Sequence, residues 1–236
     1  AGHSGPETAE DSRTHFGIFA PGVTQLFPDG HIINLHPWEH NEVAPALAAA
    51  MSTDVPIVAL HLTRPPITIP DRKALRMASH KEASKGAYII KDYDKNRPLE
   101  GVVIVRGTSS TNSLVSILPK IINEGPNVKI VAAISWGLFM AQNKEYRETI
   151  ISENEWMDAM IITNGAIKLM NKWIANRIVE EYSMSPDFDN QWRTGGALDE
   201  IITESKLDAE SVWNGIIKFT SERARRLEAL HNSIPK

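Results

Sequence analysis

His3, Glu7, Glu10, Asp11, Arg13 and His15 crowd into thirteen consecutive residues, more ionisable groups than an ordinary turn carries. Two imidazoles among carboxylates can move protons near neutral pH, because histidine titrates there and a neighbouring carboxylate tunes it. The same composition also describes a solvated surface loop, and on composition alone that plainer reading leads. Zinc ligation is a third reading, although His-Glu-x-x-His and comparable ligand spacings are missing. Arg64 follows the apolar, β-rich run 55–62. Ligands of open α/β sheets collect at the carboxyl ends of such strands. An arginine there can grip a phosphate through two parallel hydrogen bonds, which lysine cannot do. Taken alone, it is equally a surface arginine at a strand end.

A third candidate is Gly107-Thr108-Ser109-Ser110-Thr111-Asn112. Small polar residues between a strand and a helix expose backbone N–H groups that suit an anion. The segment matches neither Gly-x-Gly-x-x-Gly nor the lysine-bearing Walker pattern, so it reads first as a tight βα turn. Asn164-Gly165 is likewise read as a turn. His31, His36, His40, His61, His80 and His231 are scattered along the chain and read as packing or surface residues.

These groups need elements to hold them. The pattern predicts a strand over 31–35, a helix over 38–51 with Glu39 and Glu42 in its first turn, and the buried strand over 55–62. Residues 63–86, with Pro65, Pro66, Pro70 and Gly86, read as an interdomain linker. Strands are then expected at 87–90, 102–105, 128–134 and 157–163. Helices are expected at 111–123, 145–150, 167–182 and 208–230, the last N-capped by Asp208. Alternation at this spacing implies an α/β fold with mainly parallel sheets in α/β/α layers.

Composition narrows the chemistry. Among 236 residues there is no cysteine, which excludes disulfides, thiolate catalysis and cysteine-bound zinc. A net charge of −4 gives no global basic field for nucleic acid. No apolar run approaches membrane-spanning length and no signal pattern opens the chain, so a soluble, cytoplasmic protein is expected. Starting at Ala1, inside a loop-like segment, favours a fragment or processed piece over a complete gene product.

In order and interval these pieces resemble transketolase. His3 followed by Glu10-Asp11-Ser12-Arg13-Thr14-His15 is similar to the family's Thr-His-Asp…Glu-Asp-Gly-Pro-Thr-His-Gln, with the eight- and four-residue gaps between His, Asp and His kept. Pro37-Trp38-Glu39-His40-Asn41-Glu42 resembles Arg-Pro-Ala-Asp-x-Asn-Glu, which opens a helix. Ala59-Leu60-His61-Leu62-Thr63-Arg64 resembles a strand ending in Leu-Ser-Arg. Glu82-Ala83-Ser84-Lys85-Gly86-Ala87-Tyr88 resembles the Ser-Lys-Gly-Gly-Tyr that begins the C-terminal domain. Val105-Arg106-Gly107-Thr108-Ser109-Ser110 falls where the family has Ala-Thr-Gly-Ser-Glu.

The resemblance implies that residues 1–80 are the second half of a pyrimidine-binding domain and 87–236 the transketolase C-terminal domain. It implies a thiamine-diphosphate and magnesium enzyme moving two-carbon ketol units between sugar phosphates. His3 and Arg64 would hold the substrate phosphate, and Asp11 would hydrogen-bond the hydroxyl beside the reacting carbon. His15 would serve the carbonyl oxygen, stabilising its charge or moving its proton. The chain departs from the pattern where Gly-Pro becomes Ser12-Arg13, Gln becomes Phe16 and Arg becomes His36. The family's Gly-Asp-Gly…Asn motif and its pyrimidine-activating glutamate are missing, and Asp29-Gly30 does not replace the former. No cofactor or metal is therefore expected on this chain alone, which should be inactive without a partner subunit that carries the diphosphate-binding domain; a homodimer is the other expected assembly. Competing expectations are a subunit of a 2-oxoacid dehydrogenase first component or deoxyxylulose phosphate synthase, and a non-catalytic dimer-assembly module.

Overall fold

The computed structural model describes residues 4–6, 17–64, 66–191 and 196–233. Helix α1 (Gly22–Gln25) precedes strand β1 (Ile32–Leu35), helix α2 (His40–Met51) and strand β2 (Ile57–Leu60). A 3-10 turn at His80–Lys85 leads into β3 (Ala87–Lys91) and β4 (Val102–Arg106), then α3 (Thr108–Ser116), α4 (Leu118–Glu124) and β5 (Lys129–Ala133). Next come α5 (Trp136–Met140), α6 (Lys144–Ile150), α7 (Glu153–Met157), β6 (Ala159–Thr163), α8 (Arg177–Glu180), α9 (Leu198–Glu204), α10 (Ala209–Ser221) and α11 (Arg223–Asn232).

Strands β1 and β2 pair in parallel, Leu35 opposite Leu60. The larger sheet has the order β3-β5-β4-β6, with β4 parallel to both neighbours and β3 antiparallel to β5. Every residue of β4, β5 and β6 is buried, as strands covered by helices on both faces must be. The crossover from β4 leads to β5 on one side, and the next, from β5, runs the opposite way past β4 to β6. Among the described residues, no helix is long and apolar enough to cross a membrane.

Several predicted helices break where local chemistry competes. The helix expected over 111–123 begins earlier, at Thr108, and divides at Ile117 because Pro119 enters the first turn of α4. The span 167–182 is broken into a 3-10 turn at Ile167–Met170 and the short α8: Trp156 Nε1 donates to Trp173 O at 2.8 Å, and Asn176 starts a fresh turn by accepting from Val179 N at 3.0 Å. Asp208 does cap α10, but the expected single helix ends at Ser221. Arg223 and Arg226 both reach the Asp158 carboxylate at 2.7 Å, which re-aims the chain as α11.

Gly107 makes the turn between β4 and α3, with φ 93° and ψ 164°, a conformation open essentially to glycine. A Cβ there would lie 1.7 Å from Asn164 Oδ1. Gly107→Ala is expected to lower stability by about 1–3 kcal/mol, read as a lower urea midpoint at unchanged slope.

Candidate functional site

Of the four residues expected to bind substrate or act on it, His3, Asp11 and His15 lie outside the described residues. Arg64 is described: it is exposed and stands four positions beyond the end of β2. The expectation that β2 is buried on both faces needs correction. Ile57 is 40% exposed and the rest of the strand is half-buried, because among the described residues β1 alone pairs with it.

The structure brings together two histidines that the sequence left scattered. Because Leu35 pairs with Leu60, the next residues, His36 and His61, fall side by side. Their rings stack with centroids 4.5 Å apart and planes 9° from parallel. His61 Nε2 donates to Asn34 Oδ1 at 3.0 Å, with Thr24 Oγ1 at 3.2 Å. His36 N donates to Ile134 O at 2.8 Å, which ties the end of the small sheet to the end of β5. Burial lowers the His61 pKa to about 4, and the Arg106 cation adds to this. His36 is held well below the usual imidazole range by burial first, then by Arg106 and His61. Both rings are therefore neutral at pH 7.

Arg106, the last residue of β4, shares this junction and is 4% exposed. Its Nη1 donates to Leu169 O at 3.0 Å. Burial lowers its pKa to about 9. Beside it opens a cavity of about 820 Å³ between the small sheet, the carboxyl end of the large sheet and α5. A signal for this junction was present in the sequence: His36 directly follows one apolar strand pattern and His61 lies near the end of the other.

A second polar web lies at the start of α2. Glu42 stands in the first turn of α2, as expected, and Glu39 at its N-cap; both receive Arg72, with Nε to Glu39 Oε1 at 2.6 Å and Nη2 to Glu42 Oε1 at 2.7 Å. Tyr88 Oη donates to Glu42 Oε1 at 2.5 Å and accepts from Trp38 Nε1 at 2.8 Å. Trp38 N donates to Glu42 Oε2 at 3.1 Å. Burial raises the Glu42 pKa to about 7, with Tyr88 and Arg72 opposing it. The segment read as a linker thus carries the cation that joins α2 to β3.

The loop at 107–112 acts as a βα turn, with Ser110 Oγ donating to Arg106 O at 2.5 Å. Thr108, Ser109 and Asn112 face a smaller cavity of about 470 Å³ shared with Thr63 and α9. Asp29 is paired with Lys172, and Gly30 takes φ 85° with open space around it, so this pair does not form a metal or diphosphate cradle. Among the described residues, no group of three or more His, Asp or Glu side chains is placed to hold a metal ion. The described residues do not fit the diphosphate and metal end of thiamine diphosphate.

No protein-family model matches the chain. In sequence it is 30% identical over 154 residues to the chloroplastic transketolase of Craterostigma plantagineum, covering 63% of this chain and 27% of that protein. Identity to the Geobacillus stearothermophilus transketolase is 30% over 150 residues, covering 63% of this chain and 21% of the relative. The chain thus spans only 21% to 27% of the length of these curated relatives. In fold it is similar to a Pichia stipitis transketolase solved in complex with sedoheptulose-7-phosphate, with a TM-score of 0.73 and 20% identity, covering 95% of this chain and 30% of that one. The Leishmania mexicana transketolase gives a TM-score of 0.71 at 18% identity, covering 94% of this chain and 30% of the other. The sequence homologues and the structural neighbours are transketolases, and the chain shares their α/β fold.

Proposed function

We propose that this chain, homologous to transketolases over 63% of its length, is the part of a transketolase-type transferase that receives sugar phosphates. The homology is the observation that carries this reading. In the assembled enzyme a two-carbon ketol unit would pass from a ketose phosphate to an aldose phosphate. Residues 1–80 would belong to the pyrimidine-binding domain and 87–236 to the C-terminal domain. A homodimer, or a partner subunit with the diphosphate-binding domain, would complete the site in the cytoplasm.

Thiamine diphosphate, with magnesium, supplies the carbanion chemistry when bound to the whole enzyme. The residues of this chain would bind and orient the sugar. Arg64 and His3 would hold its phosphate, because a guanidinium matches phosphate oxygens with paired donors. Asp11 would accept from the hydroxyl beside the reacting carbon. His15 would hold or move a proton at the carbonyl oxygen.

Two measurements test this. Titrating thiamine diphosphate and magnesium into the chain alone should give no saturable heat. Supplying a transketolase segment that carries the Gly-Asp-Gly motif should restore transfer from xylulose-5-phosphate to an aldose phosphate. In that assembled enzyme Arg64→Ala should raise KM for the sugar phosphate about 10–100-fold, the loss of a charge-assisted contact. Unchanged KM would remove Arg64 from the phosphate site, and turnover of pyruvate instead would move the chain to another thiamine-diphosphate class.

A further inference from the structure

The cavity beside β4 holds none of the residues assigned to the transfer above, and two polar groups on its wall have no partner among the described residues. It encloses about 820 Å³, and its wall includes Ile33, His36, Arg106, Trp136 and Trp173. Arg106 stands at the carboxyl end of β4, beside β5, and the crossovers that leave these two strands run in opposite directions. Open α/β sheets bind ligands in the crevice at such a point.

The guanidinium is held in place. Its Nη1 donates to Leu169 O at 3.0 Å. The Gln25 amide oxygen, turned toward it, accepts from the same nitrogen at 3.2 Å. Nη2 is different: it is buried and, among the described residues, meets no acceptor. His36 Nε2 is also buried without a partner among the described residues. Arg106 is 4% exposed and His36 7%. A cation buried without a counter-charge is costly, and a ligand that supplied one would remove the cost.

We infer that this cavity is a second ligand site for a small organic acid, its carboxylate on Arg106 Nη2 and His36 Nε2 and its flat apolar body against Ile33, Trp136 and Trp173. Charge balance selects the carboxylate. Arg106 brings one positive charge, and burial keeps His36 neutral. A phosphate dianion would leave a negative charge out of water uncompensated. The other cations on the wall do not alter this, since Lys172 is paired with Asp29 and Lys168 is exposed. The half-buried Trp136 indole on the wall suits a ring. The inference stands whether or not the chain serves a transketolase.

Tryptophan fluorescence of the purified chain reads it out, because two indoles line the cavity. Titration with 3-phenylpropionate should change the emission saturably. The amide of the same acid, equal in shape but uncharged, should bind at least about 10-fold more weakly. Phenyl phosphate should bind more weakly than the carboxylate. Arg106→Met should lose at least about 10-fold in affinity while its thermal midpoint holds or rises, since an uncompensated cation gives way to apolar volume. Equal binding of acid and amide, preference for phenyl phosphate, or unchanged affinity in Arg106→Met would each overturn the inference. The acid–amide comparison uses the unaltered chain, so it decides the matter even if the variant does not fold.

Discussion

Arg72→Met is expected to destabilise the fold by about 3–5 kcal/mol, the cost of leaving buried carboxylates without their cation. Arg72 is 10% exposed along its side chain, and the Glu39 and Glu42 side chains are 0% exposed. Its remaining donors are also engaged, Nη1 on Ala78 O at 2.9 Å and Nη2 on Tyr88 Oη at 3.1 Å. Methionine keeps much of the volume but none of these bonds. Both carboxylates would then stay buried with one fewer donor, and α2 would lose its polar link to β3. Removing the anions as well should return much of the loss, so Arg72→Met/Glu39→Leu/Glu42→Leu should be more stable than the single variant. The loss should also depend on pH. Glu42 has a folded pKa of about 7 against an ordinary 4.5, so the folded state holds its proton more tightly than the unfolded state. Stability from that group is present at low pH and falls as pH rises through about 7. Without Arg72 the same penalty deepens, and urea midpoints should show the variant closer to the parent at pH 5 than at pH 8. A loss below about 1 kcal/mol at pH 8 would mean the web is a solvated surface pair.

The parts of this fold that could be read from the sequence are those that local pattern decides. The helix over 38–51 and the strands of the larger sheet follow from periodicity and from uninterrupted apolar runs, and each is present within a few residues. One predicted helix divides at a local signal, Pro119, and the other two fail where a side chain far along the chain takes over a backbone group or re-aims it. Trp156 claims the Trp173 carbonyl across seventeen residues, and Asp158 draws Arg226 from sixty-eight residues away. Periodicity carries no information about such partners. Arg72 shows the same limit. It sits in a proline-bearing segment that reads as a linker, thirty residues from Glu42, and nothing local marks it as the centre of a buried web. His36 and His61 were more accessible to reasoning. Each immediately follows a strand, and strands paired in register bring equal offsets together. Treating them as isolated packing residues missed that step. Arg106 could be placed at a strand end but not identified as a cation without a counter-charge among the described residues, which depends on what surrounds it in space. The acid–base grouping of His3, Asp11 and His15 rests on sequence alone, since the described residues do not include it.

The stacked histidine pair should make the protein lose stability as pH falls from about 6.5 to about 4. His61 titrates at about 4 in the fold against 6.5 for an unperturbed imidazole, and His36 is depressed in the same sense. Between those values the unfolded chain binds protons that the folded chain refuses, so the slope of stability against pH is positive there. Each imidazole contributes up to about 1.4 kcal/mol per pH unit, and His61 alone contributes on the order of 3 kcal/mol across the window. The charged surroundings agree with this sign. The Arg106 cation repels a proton on either ring, while the neutral Asn34 amide and Thr24 hydroxyl offer no charge to stabilise one. Urea midpoints measured from pH 4.5 to 7.5 should therefore carry this rise in the parent, set against the fall that Glu42 brings over the same range. They should rise less for His36→Gln/His61→Gln, whose amides keep hydrogen-bonding capacity without titrating. Carboxylates elsewhere affect both proteins alike, so the difference between the two curves isolates the imidazoles. Parallel curves would mean that the rings take up protons in the fold, and the account of their burial against Arg106 would have to be abandoned.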